Sequence, residues 1–209
     1  MPDNISDKWQ AQEKGSAAEK IREQIVPPPP MSQRLETAKR KLREQIVHLD
    51  RISERLSARD KDLYEKMVKA YGEHDSERAK LLANELAELR KMEQKTHYGK
   101  YALERAYTRI EMAKDYGDMV AALVPVGQVV KSVRGTLGEF FPSSSAALDE
   151  LSGIMNETIV SFSNITGSSI ISGGMSEDAE MILKEAAAVA ESRLKDKLPG
   201  AGTDQPLPE

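Results

Sequence analysis

MSQRLETAKRKLREQIVHLDRISERLSARDKDLYEKMVKAY (residues 31–71) and SERAKLLANELAELRKMEQKTHYGKYALERAYTRIEMAKDY (76–116) are separated only by Gly72-Glu73-His74-Asp75. In the first stretch Leu35, Leu42, Leu49, Leu56, Leu63 and Ala70 recur every seven residues, with Ala38, Ile46, Ile52 and Met67 filling the same stripe. In the second, Leu82, Leu89, Thr96, Leu103 and Ile110 share one heptad frame, with Leu86, Met92, Ala106 and Ala113 beside them. A seven-residue apolar period predicts a helix with a narrow seam, and two narrow seams joined by a tight turn bury each other. Neither stretch contains proline. At 1.5 Å per residue each arm is a rod of about 60 Å. Ser32 is the expected N-cap of the first arm and Asp75 or Ser76 of the second, with Glu77 placed well for the helix dipole. The seam of the second arm thins at Thr96 and Gly99, and the arm is expected to end near Tyr116-Gly117, since glycine is common just past a helix end.

Around this hairpin the chain divides by composition. Residues 1–30 form a polar arm with Trp9, the single tryptophan, and end in Pro27 to Pro30, a stiff polyproline spacer. Trp9 has the amphipathic ring that suits a membrane interface or a subunit contact; the alternative is an incidental residue of a polar tail. Residues 31–160 make the helical core: the hairpin over 31–116, then short helices over 117–160 joined at bending points, for which Gly117, Pro125 and Gly127 are the candidates. Residues 161–175, rich in Ser, Gly, Asn and Thr, read as a linker. Residues 176–198 read as an amphipathic helix, with Ile182, Leu183, Ala186, Val189, Ala190, Arg193 and Leu194 near one face. Residues 199–209 read as a disordered tail. The expected fold is all-α: a long antiparallel hairpin, short hinged helices, and a tethered C-terminal helix that serves as a peptide ligand or packs on the hairpin.

Of 209 residues, 39% are apolar, 5% aromatic and 31% charged, a profile of long helices with a thin core. There is no cysteine, hence no disulfide and no thiolate metal site. The absence of a basic-then-apolar leader gives an intracellular expectation. The most apolar run, Met119 to Val130, is well short of the roughly 20 residues a membrane span requires. His48, His74 and His97 are scattered without metal-ligand spacing, no phosphate-cradling Gly-rich loop is present, and Ser143 to Ser145 lack the setting of a nucleophile. The chain is therefore expected to be no enzyme and to use no cofactor, metal or small-molecule substrate.

Charge is uneven. Residues 31–71 hold 11 Lys/Arg against 7 Asp/Glu, while residues 117–209 hold 6 against 13. Lys39, Arg40 and Arg43 cluster near the start of the first arm. Such a strip suits anionic lipid headgroups or an acidic protein, each cation near a lipid surface contributing about 1 kcal/mol; the competing reading is a solvated face with ordinary intrahelical ion pairs. Nucleic acid is disfavoured by a pI near 5.6 and by the lack of aromatics among the cations.

The order of parts resembles the ESCRT-III (Snf7-like) family, and most of all its archaeal cell-division branch, the Cdv system. The resemblance is carried by RDKDLYEKMVKAYGEHDSERAKLLANELAELRKM (Arg59 to Met92) and ALERAYTRIEMAKDYGDMVAAL (Ala102 to Leu123), and it covers about residues 31–160. SEDAEMILKEAAAVAESRLKDKLP (Ser176 to Pro199) looks like the terminal region of the shorter paralogues, and no winged-helix domain is expected after residue 160. The resemblance implies a homo-polymer that co-assembles with paralogous subunits, lies peripherally on the inner membrane face at the division site, and is remodelled by a Vps4-like AAA ATPase. It implies a membrane-facing or lattice contact for Arg34, Lys39, Arg40, Lys41 and Arg43. Arg193, Leu194 and Leu198 match the motif that binds the ATPase loosely, with Ala190 where the upstream Leu is usual and the last Leu one place late. The rival expectation is a non-catalytic coiled-coil adaptor that stays a small oligomer.

Overall fold

A computed structural model describes residues 30–116, 119–166 and 174–197. Trp9, Gly117 and Leu198, and with them the N-terminal arm and the C-terminal tail, lie outside the described residues. The chain divides into two units after Arg34. The described part of the first unit is the opening turn of helix α1 (Met31–Gly72), where the Pro30 carbonyl accepts from the N–H groups of Gln33 and Arg34 at 2.9 and 3.1 Å. Pro30 thus takes the capping position, and Ser32 sits inside the first turn instead of ahead of it: helical geometry begins as soon as the proline run ends.

In the second unit, α1 closes with two bonds that reach back over the turn. The Asp75 N–H donates to the Ala70 carbonyl and the His74 N–H to that of Tyr71, at 3.0 and 3.1 Å, which is the Schellman arrangement. It requires a left-handed residue, and His74, at φ 60°, occupies that position where glycine is usual. Asp75 then caps α2 (Ser76–Tyr116) as expected: its Oδ1 accepts from the Arg78 N–H at 3.1 Å, and Glu77 occupies the first turn. The arms run antiparallel, with Asp60–Arg90, Ser53–His97 and Lys39–Glu111 bridging them symmetrically about Asp75.

Two clusters of apolar side chains lie along the hairpin. Toward the turn, Leu63, Leu86 and Leu89 are buried, with Leu56, Tyr64, Met67, Leu82 and Met92 partly so. At the other end Leu35, Leu42 and Leu49 of α1 join Leu103, Ala106 and Ile110 of α2 in a core that three further helices complete. These are α3 (Met119–Gly138), α4 (Pro142–Thr166) and α5 (Glu177–Lys197). Between the clusters the seam is polar: Ser53, Asp60, Glu93, Thr96 and His97 are buried.

Three expectations need correction. First, the segment 119–138, read as short helices with bending points at Pro125 and Gly127, is one helix, α3, with Pro125 buried inside it and Gly127 facing Ile159 of α4. Second, Gly99 is a close-packing point rather than a weakness. A Cβ there would stand 2.9 Å from Leu137 Cδ1 and 3.3 Å from Val133 Cγ1, so its absence lets α3 approach α2. Third, the linker starts later than residue 161, because α4 runs to Thr166 with Thr158, Ile159 and Ser163 buried. Proline at the first position of α4 supplies a φ suited to a helix start.

Helix α5 lies on α2 and α3. Ser176 caps it, its Oγ accepting from the Ala179 N–H at 3.3 Å. The side chain of Gln128 on α3 holds this cap: Oε1 accepts from the Ser176 N–H and hydroxyl, each at 2.8 Å, and Nε2 donates to the Gly174 carbonyl at 3.1 Å.

Candidate functional site

The basic start of α1 is the surface to which the sequence pointed, and most of its charges are met by the chain itself. Lys39 has a side chain only 14% exposed, with Nζ 3.4 Å from Glu111 and 5.6 Å from the centre of the Tyr107 ring. The Arg43 guanidinium lies over the same ring at 5.0 Å and donates to the Tyr107 hydroxyl, which in turn donates to Glu111 Oε1 at 2.9 Å. Glu111 is accordingly held below the ordinary carboxylate range, first by the Tyr107 hydrogen bond and then by Lys39, with Arg43 adding to the pull. Lys41 reaches across to Glu150 of α4 at 2.8 Å. Arg40 is exposed, and Arg34 lies in the opening turn of α1. The sequence grouped these five residues as one strip; the structure splits them by helix face, with Lys39 toward α2, Lys41 toward α4 and Arg40 outward.

Two exposed cations further along α1, Arg51 and Arg55, extend the outward side beyond the predicted run. The counter-charges Glu111 and Glu150, and the ring of Tyr107, were not singled out from the sequence. Tyr107 and Glu111 stand at i, i+4 on α2, a spacing that puts them on one face, but nothing local says which arm that face meets.

The second site is the seat of α5. Its buried residues are small, Ala179, Ala186 and Ala190, with Ile182 and Leu183 partly buried. Charge supplements them: Asp178 accepts from Arg109, and Glu185 lies 3.2 Å from Arg105 Nε. A groove of about 350 Å³ between α2 and α5 is lined by Tyr101, Arg105, Thr108, Glu185 and Val189 among others. Of the predicted ATPase-binding residues, Arg193 stacks over Tyr101 of the chain's own hairpin at 5.6 Å, and Leu194 is half-buried.

The polar stretch of the seam is a third feature, and the heptad pattern missed it. Arg90 Nε donates to Asp60 Oδ2 at 2.8 Å, with side chains 20% and 12% exposed. Ser53 Oγ lies 3.3 Å from His97 Nε2, and Glu93 is 3.8 Å from the same nitrogen. Lys100 donates to Asp50. Among the described residues no group of three or more His, Cys, Asp or Glu is placed to hold a metal ion, and no helix is long and apolar enough to cross a membrane.

A long antiparallel hairpin with short helices folded onto one end and a small-residue C-terminal helix closing on it defines an all-α, ESCRT-III-like protein. The Snf7 family model matches residues 37–166, from early in α1 to the end of α4, and the chain belongs to that family. It is 36% identical over 143 residues to Cell division protein B1 of Sulfolobus acidocaldarius, covering 67% of each chain. It is 26% identical over 134 residues to Cell division protein B of the same organism, covering 64% of this chain and 51% of that one. No solved structure matches.

Proposed function

We propose that this protein is a non-catalytic, self-assembling filament subunit that remodels membrane during archaeal cell division, acting peripherally on the inner membrane face at the division site. Paralogous subunits are its co-assembly partners, and a Vps4-like AAA ATPase, engaging α5, disassembles or remodels the polymer. The observation that carries this reading is the way the cations of α1 are stored. Lys39, Lys41 and Arg43 are held by Tyr107, Glu111 and Glu150 of the same chain, so the surface suited to anionic lipid or to a neighbouring subunit is partly occupied in the closed form. Its closing helix is attached by buried alanines, the partly buried Ile182 and Leu183, ion pairs and the Gln128 cap, with no fully buried large apolar side chain of its own among the described residues. The relatives named as cell division proteins support the process.

The test is imaging of the full chain and of a form ending at Thr166, with and without anionic liposomes at moderate salt. The cut falls there because α4 is helical to Thr166, and an earlier one would remove its packed last turns. Filaments, rings or tubulated liposomes, enhanced in the shortened form, are expected. A monodisperse small oligomer under all these conditions, alone and mixed with a paralogue, would overturn the reading in favour of a coiled-coil adaptor.

A further inference from the structure

The outward faces of α1 and α4 carry matching rows. On α1, Arg43, Val47 and Arg51 stand at successive i, i+4 positions, all exposed, with Val47 at 45%. On α4, Asp149, Gly153 and Glu157 repeat the same spacing, again all exposed. Successive members of such a row lie about 6 Å apart on one helix face. One row therefore presents a cation, an apolar knob and a cation; the other presents an anion, a gap and an anion. Both look away from the core, since Leu42 and Leu49 are buried on the other side of α1, as are Leu148, Leu151 and Met155 on α4. From residue 142 to 166 α4 has no Lys or Arg at all.

Gly153 is the informative member. A glycine inside a helix costs about 1 kcal/mol relative to alanine. Gly99 is explained by Leu137, but a Cβ at Gly153, as at Gly135 of α3, would meet nothing within 4 Å. Nothing in the chain itself requires the gap, and a close approach from outside would. Val47, a β-branched residue half in solvent between Arg43 and Arg51, is its apolar counterpart on α1, where Val68 and Tyr71 nearer the turn are also exposed.

We propose that these rows are the two halves of a contact between copies of this chain, Val47 of one seating at Gly153 of the next with Arg43 and Arg51 against Asp149 and Glu157. The proposal rests on the polymer reading and deepens it by naming a subunit contact. Taken head-to-tail, with the α1 row of one copy on the α4 row of the next, the contact leaves one free row at each end and propagates a filament. Both rows are exposed while α5 is closed. Arg43 is already oriented by Tyr107, and Asp149, which accepts from Arg134, has lone pairs left for a second guanidinium.

Charge exchange tests it. Arg43→Glu with Arg51→Glu gives one variant, Asp149→Arg with Glu157→Arg the other, and sedimentation of the full chain with and without anionic vesicles gives the concentration at which assembly sets in. Each variant alone opposes like charges and should need at least about tenfold more protein to assemble. An equimolar mixture should recover the wild-type onset, because the α1 row of each then faces the α4 row of the other, and so should one chain carrying all four changes. Gly153→Leu keeps the fold, since the space is open and leucine favours helix, and should melt no lower than wild type while losing assembly. If wild type assembles and the variants match it, or if the mixture fails to recover, this contact is wrong while the polymer reading stands. If wild type never assembles, both fall.

Discussion

The two ends of the hairpin are written in the same heptad code and do different things. Near the turn, Leu63, Leu86 and Leu89 are the only buried apolar members of their cluster, at 5%, 4% and 1% exposure, and Val68, Tyr71 and Leu81 stand in solvent. At the other end Leu42, Leu49, Leu103 and Ile110 are fully buried, because α3, α4 and α5 cover faces that a two-helix ribbon leaves wet. The lesson is that a seam of leucines specifies pairing, and the number of layers above it decides whether that pairing is a ribbon or a core. The ribbon end keeps its helices largely because they are continuous with the core end, which provides their nucleus. The polar layer around Asp60–Arg90 and Ser53–His97 marks the border.

The largest expected effect breaks the core end. Leu103→Ala should cost about 3–4 kcal/mol and lower the melting temperature of the whole unit, since a fully enclosed site cannot collapse around the void. Leu86→Ala in the ribbon should cost about 1–2 kcal/mol, because solvent and the neighbouring partly buried side chains can fill in. Native-state hydrogen exchange checks the distinction: amides of residues 60–90 should exchange through local opening and those of 99–110 only through global unfolding. Equal protection in both would show one cooperative hairpin and erase the contrast.

A smaller effect sharpens the border. Asp60→Ala should cost about 2 kcal/mol, less than the 3–5 kcal/mol of a fully buried pair, because Arg90 retains partial access to water. Changing both residues to leucine should restore most of that stability or exceed it, since a polar pair in an apolar seam is not held there for stability. What the pair adds is register. With a seven-residue, mostly apolar repeat on both arms, a one-heptad slip would still match most apolar positions, but it would part Asp60 from Arg90 and Ser53 from His97. A double-mutant cycle in denaturant measures the coupling, and a value near zero would remove the register role.

How much of this was legible follows from what periodicity detects. The seams, the Asp75 cap and the Ser176 start of the last helix were readable because each is a local pattern with a local cause. The polar layer was not, since Asp60 and Arg90 are 30 residues apart and each alone looks like an ordinary surface charge. Gly99 was misread for the related reason that a residue unfavourable in an isolated helix acquires its explanation only from the helix packed against it. The cationic strip was found as a cluster, but its division among three faces depends on where α2 and α4 lie, which no spacing within α1 records.

The smallest effect isolates one contact at the core end. Glu111 is depressed below its ordinary value of 4.5 by the Tyr107 hydrogen bond and by Lys39 and Arg43. A carboxylate with a lowered folded-state pKa adds stability that is fully present above its unfolded value and is lost as pH falls through the folded one. Wild type should therefore melt slightly above Glu111→Gln at neutral pH, with the gap constant down to about pH 5 and closing below the ordinary carboxylate value of 4.5. Melting curves of both proteins from about pH 8 to about pH 3 read this directly. The closure should leave exchange at residues 60–90 unmoved, because Lys39, Arg43, Tyr107 and Glu111 all lie beyond the polar layer from the turn. A gap that persists undiminished in acid would mean that the ionised carboxylate is not what joins α1 to α2 there, and that the stacking of Lys39 and Arg43 on Tyr107 holds the end of the hairpin by itself.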